Sequence, residues 1–319
     1  MSNFDPYDHL NILKNPDGSI TRLVHLPTMP VTGEDESPHG QDVVSKDVTL
    51  NAQKKTSVRI FRPFKLPSND NAVARLPVFI YFHGGCWLFL STADAMVHLN
   101  CSKLASEIPA IIVSVDYRLA PESRLPAQYE DAVDALLWVK QQALDPNGEQ
   151  WLRDYADFPR CYLYGVCSGG NIVLQAALRA LDLDLSPVRI AGVVMNQPMF
   201  GGNQRTKSEL KNAADQLTPL PALDLAWELT LPPGTDRDHR YCNPVVDVPG
   251  RKKIAALGRC LVIGFGGDPM VDRQQDFVQM LVLCGVRVEA KFDNVGFHGI
   301  DAIDPRRATL VTKFVKDFI

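Results

Sequence analysis

The apolar positions of the chain fall into two kinds of segment: short continuous runs and longer stretches with a helical repeat. Residues 78–82, 110–115, 161–164, 190–195, 260–263 and 286–292 are brief runs rich in β-branched and aromatic side chains. Such runs fit strands buried on both faces of a parallel sheet. Residues 46–50 and 57–62 precede them; in the second, apolar Val58 and Ile60 alternate with Ser57 and Arg59 until Pro63 stops the strand, which predicts an antiparallel start. Between the runs lie helical repeats carried by Ala132, Val133, Leu136, Leu137 and Val139, by Ile172, Val173, Ala176, Ala177 and Leu178, and by Phe277, Met280, Leu281 and Cys284. A last repeat over Leu310, Val311, Phe314, Val315 and Phe318 closes the chain. Strand and helix alternate, so the expected fold class is α/β: a mostly parallel central sheet with helices on both faces.

Two segments break the alternation. Residues 1 to about 40 are rich in Pro, Asp, Ser and His, with a short apolar patch at 20–26, and read as a surface arm or cap. Residues from about 200 to 244 hold Pro219, Pro221, Pro232 and Pro233 around a helix-like piece at 223–231, and read as a second cap segment. The expectation is one domain over 1–319 carrying both caps.

Composition narrows the partners. Lys and Arg number 33 against 37 Asp and Glu, a net charge of −4, and the basic residues are scattered. No counterion-release term favours nucleic acid. The apolar runs fall far short of the ~18 residues a membrane span requires. Residues 1–10 carry Asp5 and Asp8 and no apolar core of a signal peptide, so a cytoplasmic location is expected. The seven cysteines form an odd set with no C-x-x-C pair, which argues for free thiols rather than a zinc site or a disulfide framework. No metal or organic cofactor is implied, and the oligomeric state is not readable.

The chemistry concentrates at strand ends. The run 161–164 leads into Gly165-Val166-Cys167-Ser168-Gly169-Gly170-Asn171, after which a helical repeat begins. Strand, tight turn and helix are the context of a nucleophile elbow, with small residues at 165 and 169 permitting the bend and the central side chain pushed out over the sheet edge. That central residue is Cys167, and the Ser168 amide at the helix start favours negative charge beside it. Upstream, His83-Gly84-Gly85-Cys86-Trp87 follows the run 78–82. Gly84 and Gly85 can aim consecutive amides at one point, the loop half of an oxyanion hole; His83 reads as a structural loop histidine. Asp268 follows the run 260–263, with Asp272 as its competitor, and His298 follows the run 286–292. The order 167, 268, 298 is nucleophile, acid, histidine.

On these motifs, together with residues 114–122 (Ser-Val-Asp-Tyr-Arg-Leu-Ala-Pro-Glu), Phe200-Gly201-Gly202, residues 236–244 and residues 267–274, the chain from about Asn15 onward resembles the plant carboxylesterases of the hormone-sensitive-lipase-like branch of α/β-hydrolases, which also contains the gibberellin receptors. The resemblance implies an α/β-hydrolase fold and a carboxylesterase-like hydrolase or acyl transferase acting on a small, mainly apolar plant-metabolite ester. Three positions depart from the family: Cys167 stands for the serine, Val166 for the preceding acid, and Cys86 for the third glycine of H-G-G-G. The roles expected here are Cys167 as nucleophile, His298 as acid and base, Asp268 as its orienter, and the amides of Gly84, Gly85 and Ser168 as oxyanion donors. Cys86, Trp87, Phe89 and Trp227 are the expected pocket lining. The alternatives are a repurposed enzyme of elimination, dehydration or cyclisation, as some relatives are, and a hormone-binding protein. Loss of the histidine marks the receptors, whereas this chain keeps His298.

Overall fold

The computed structural model describes residues 4–33, 42–69 and 72–319. Each apolar run becomes a strand of one eight-stranded sheet. In chain order the strands are β1 (Val43–Asn51), β2 (Thr56–Pro63), β3 (Leu76–Phe82), β4 (Ile111–Asp116), β5 (Ala156–Val166), β6 (Ile190–Asn196), β7 (Cys260–Phe265) and β8 (Val288–Asp293). Their spatial order is β8-β7-β6-β5-β3-β4-β2-β1. β1 and β2 pair antiparallel, β2 pairs antiparallel with β4, and every other pairing is parallel.

Period-two alternation sorts the strand residues between two cores. Val78, Ile80, Phe82, Ile111, Val113 and Leu163 enter one; Phe79, Tyr81, Ile112, Tyr162, Leu261 and Ile263 enter the other. The first core is closed by helices α2 (Ala127–Leu144), α3 (Ser168–Ala180) and α5 (Val271–Leu283), and also takes in buried residues of α4 (Leu220–Thr230). The second is closed by α1 (Ala95–Glu107) and α6 (Pro305–Phe318). Helices thus cover both faces, as the alternation predicts. Helix α1 is an addition: its inward Val97, Cys101 and Leu104 are interleaved with exposed Met96 and Leu99, which blurs the repeat.

The expected arm holds a short helix, Pro6–His9, and an antiparallel ribbon pairing Ile12–Lys14 with Ile20–Arg22; its residues 34–41 lie outside the described residues. Arg22 ties the ribbon to the body, donating to Glu122 at 2.9 and 3.1 Å and to the Ala120 carbonyl at 2.7 Å. Residues 114–122 are structural in the same sense. The backbone amide of Arg118 donates to the buried Asp131 carboxylate at 2.9 Å and its guanidinium to the same group, while the Tyr117 hydroxyl donates to the His83 carbonyl at 2.9 Å. Among the described residues no helix is long and apolar enough to cross a membrane.

A buried cation anchors the antiparallel edge. Arg59 of β2 makes a two-pronged pair with Asp47 of β1 at 2.7 and 2.8 Å and donates at 3.1 Å to Nδ1 of His98 in α1. Because a guanidinium only donates, His98 must accept there, and burial followed by the Arg59 charge lowers its pKa to about 4. An unfolded imidazole binds its proton near pH 6.5, so in the window from about pH 6.5 to 4 the unfolded chain holds a proton that the folded chain lacks. Stability therefore falls as pH falls through that window. We predict that the thermal midpoint, followed by circular dichroism, drops less over this range in His98→Gln, which can still accept from Arg59 but does not ionise; an equal drop in both proteins would contradict this assignment.

Candidate active site

The elbow is dictated by packing. A Cβ on Gly165 would lie 2.0 Å from the Gly169 carbonyl oxygen, and one on Gly169 would lie 2.0 Å from the Phe82 carbonyl oxygen. No other residue fits either position, so β5, α3 and the end of β3 meet backbone to backbone. Between these glycines Cys167 takes φ 53° and ψ −118°, a conformation rare for a residue with a side chain. Hydrogen bonds hold it there: its N–H donates to the Asn196 carbonyl at 2.9 Å, and its carbonyl accepts from Gly170 and Met199 at 2.9 and 3.0 Å. Asn171, the tail of the motif, pins α3 by accepting from the Tyr129 hydroxyl at 2.7 Å and donating to the Tyr241 and Met199 carbonyls. The Cys167 side chain is directed into a cavity at the C-terminal edge of the sheet, not beneath the helix.

The ends of β7 and β8 deliver the acid and the histidine. A Cβ on Gly267 would fall 2.0 Å from the Gly296 carbonyl oxygen, so the two loops touch. Asp268 is fully buried. Its Oδ2 accepts from His298 Nδ1 and from Gln274 Nε2, each at 2.8 Å, and its Oδ1 accepts from the Met270 amide at 2.8 Å. Asp272, the competitor, instead accepts from the Ser208 amide at 2.8 Å. Nδ1 is engaged by Asp268, and the His298 ring walls the same cavity as the Cys167 thiol, near enough for each to shift the other's acidity. Burial opposes a charge on His298, but the Asp268 carboxylate and the neighbouring sulfur outweigh it and raise the pKa well above the ordinary imidazole range.

The second thiol changes the picture. Cys86 interacts directly with Cys167, and that contact, with burial adding to it, holds the Cys167 thiol well above its ordinary range even though His298 pulls the other way. The same contact lowers Cys86 against the opposing effect of burial.

Cys86 does not collapse the oxyanion loop. Gly85 at φ 95° is followed by Cys86 at φ 55° and Trp87 at φ 59°. Cys86 thus adopts the left-handed backbone that a glycine would favour, at a cost of about 1 kcal/mol. The amides of Gly84, Gly85 and Ser168 find no hydrogen-bond acceptor among the described residues. His83 is fully buried, hydrogen bonds through Nδ1 to the Gly84 carbonyl at 2.8 Å and stacks on Tyr117 at 4.3 Å, so it shapes the loop.

The cavity measures about 360 Å³ and is walled by Cys86, Phe89, Val166, Cys167, His298 and Gln197, with Leu10 of the arm and Leu217 and Thr218 of the 200–244 segment at its rim. Trp87 and Trp227 are not in its wall. They pack on each other at 4.8 Å in the core, because the left-handed turn at Cys86 and Trp87 sends the indole inward. Val166, beside the elbow, forms part of the wall. Among the described residues no group of three or more His, Cys, Asp or Glu is placed to hold a metal ion.

The sequence reading missed the support for the histidine. Gln197, buried at φ 49°, accepts from the Gly299 amide at 2.9 Å and donates to Asp301 at 2.8 Å, while Asn196 donates to the other Asp301 oxygen at 2.7 Å. The signal was an Asn-Gln pair directly after the apolar run 190–195. We predict that Gln197→Leu, which strands the Gly299 amide, lowers kcat on a short-chain 4-nitrophenyl ester about tenfold with little change in KM, matching ~1–3 kcal/mol for an unsatisfied group; unaltered kcat would remove Gln197 from the support.

Comparison with known proteins bears on the same residues. Residues 79–302 match the family described as alpha/beta hydrolase fold. The chain is 58% identical to probable carboxylesterase 9 of Arabidopsis thaliana over 99% of its length and 97% of that protein. It is 46% identical to a 3-O-acetylpapaveroxine carboxylesterase of Papaver somniferum, covering 99% of both. An esterase from the archaeon Pyrobaculum calidifontis shares the fold at a TM-score of 0.70 and 24% identity, over 86% of this chain and 84% of that one. With elbow, acid and histidine loops at one sheet edge, the chain belongs to the α/β-hydrolase family as a carboxylesterase-like enzyme of the plant carboxylesterase group.

Proposed function

We propose that the protein hydrolyses small, mainly apolar esters through a Cys167–His298–Asp268 triad. The observation that carries this reading is that Cys167 and His298 wall one cavity, with Nδ1 of His298 held at 2.8 Å by the Asp268 carboxylate buried behind it. Cys167 Sγ attacks the ester carbonyl carbon while its proton passes to His298 Nε2. The carbonyl oxygen becomes an oxyanion, received by the free amides of Gly84, Gly85 and Ser168. His298 then gives the proton to the leaving oxygen, the alcohol departs, and a thioester remains. A water molecule adds with His298 as base, and collapse returns the Cys167 thiol and releases the acid.

Sulfur decides the substrate range. In the tetrahedral intermediate a thiolate leaves more readily than an alkoxide, so unactivated alkyl esters fall back to substrate unless His298 protonates the leaving oxygen first. Esters of phenols and other good leaving groups escape this penalty. The proton delivered here is the one His298 took from Cys167, and the Asp268 carboxylate stabilises the charged ring in between. An alcohol of suitable shape could replace water, giving acyl transfer from the same thioester. The relative named for 3-O-acetylpapaveroxine supports a small acyl group on a larger skeleton. We place the whole chain in one catalytic unit, with the arm and the 200–244 segment as its roof, since Leu10, Leu217 and Thr218 rim the cavity.

A competing reading rests on the engagement of Cys167 by Cys86: the His298–Asp268 pair alone moves protons in an elimination or cyclisation. Kinetics separates the two. We expect Cys167→Ala to lose at least ~10³-fold in kcat on 4-nitrophenyl acetate and Cys167→Ser to retain hydrolysis, improved on alkyl esters relative to phenolic ones. Undiminished turnover in Cys167→Ala would overturn the triad. An inert native chain alongside an active Cys167→Ser would favour elimination or cyclisation.

A further inference from the structure

Of the seven cysteines, only Cys86 and Cys167 stand in the wall of the catalytic cavity, where each thiol shifts the other's acidity. The backbone brings the loop that carries Cys86 against the elbow. Gly84, two residues before Cys86, sits so close to the elbow that a Cβ on it would be 3.1 Å from Cys167 Cβ. The pair is reached from solvent through the cavity, and Cys86 is partly exposed whereas Cys167 is almost fully covered. We propose that Cys86 and Cys167 form an oxidation site: hydrogen peroxide entering the cavity converts the two thiols into a reversible intramolecular disulfide that withdraws the nucleophile.

The step balances with one peroxide. Cys86 Sγ attacks one peroxide oxygen, the O–O bond breaks, and the departing hydroxide takes the thiol proton and leaves as water. Cys86 is now a sulfenic acid. Cys167 Sγ attacks the Cys86 sulfur, the S–O bond breaks, and the hydroxyl leaves as a second water with the Cys167 proton, passed by way of His298. Two thiols are oxidised by two electrons in total, and the peroxide is reduced to two waters. The other cysteines lack this arrangement. Cys101, Cys161, Cys242 and Cys260 are buried, and burial pushes Cys101, Cys161 and Cys260 up to about 12, where the thiolate that reacts is scarce. Cys284 caps the C-terminal end of α5, at a separate cavity walled by Val245 and Leu283.

That oxidation silences hydrolysis rests on Cys167 being the nucleophile, but the oxidation itself does not, so the test reads mass as well as activity. The full reduced chain is exposed to a small excess of hydrogen peroxide, alkylated and analysed intact and after digestion. The expected product is lighter by two hydrogens, carries a Cys86–Cys167 cross-linked peptide, and reverts with dithiothreitol. Loss of free Cys167 should outpace loss of free Cys101 by about tenfold or more, because only Cys167 has a neighbouring sulfenic acid, on Cys86, to attack. In Cys86→Ala and, as a second background, Cys86→Gly, the two-hydrogen loss should vanish and Cys167 should instead gain oxygen. A cross-link between any other pair, or oxygen adducts on Cys167 in the native chain without a cross-link, would overturn the proposal. A cross-link formed in a protein that never hydrolyses esters would sustain it and count against the triad.

Discussion

The site depends on one backbone contortion. Cys167 sits at φ 53° because Gly165 and Gly169 press their backbones against each other and against the end of β3, leaving no lower-energy route from strand to helix. Left-handed backbone at a residue with a side chain costs ~1–2 kcal/mol. The surrounding sheet over-determines the turn through hydrogen bonds to Asn196, Gly170 and Met199. The return is direction: the sulfur projects over the sheet edge into reach of the His298 ring. Release of that strain would carry the thiol away from the imidazole.

The same edge gathers everything else. β3, β5, β6, β7 and β8 run parallel, so their C-terminal ends open on one side. The oxyanion loop, the elbow, the Gln197 clamp, Asp268 and His298 follow those five strands in turn. Burial does the electrostatic work. Asp268, fully shielded, has three donors, so its charge is both tolerated and aimed at His298. A buried carboxylate satisfied in this way fixes the ring's orientation as well as its affinity for a proton.

Much of this was legible because strands buried on both faces leave continuous apolar runs and because a nucleophile elbow has steric demands that only small residues meet. Cys167, Asp268 and His298 could each be read from a position just after a run. Other features lay outside local sequence. The choice between Asp268 and Asp272 turned on a contact between loops anchored by Gly267 and Gly296. Trp87 and Trp227 looked like pocket walls, but two consecutive left-handed residues rotate the indole into the core. Gln197 and Asp301 are separated by a hundred residues of chain, and no spacing links them. The contact between Cys86 and Cys167 is likewise a product of the fold.

On the proposed reading, sulfur at the elbow moves the barrier that matters from forming the acyl enzyme to expelling the alcohol. The most direct measurement is rapid acid quench of the native protein during turnover of 4-nitrophenyl acetate, followed by peptide mapping by mass spectrometry. The account predicts one acetyl group, sensitive to hydroxylamine, on the peptide containing Cys167 and absent in Cys167→Ala. Acetyl confined to Cys86, to lysines, or to no residue while 4-nitrophenol is released would contradict it.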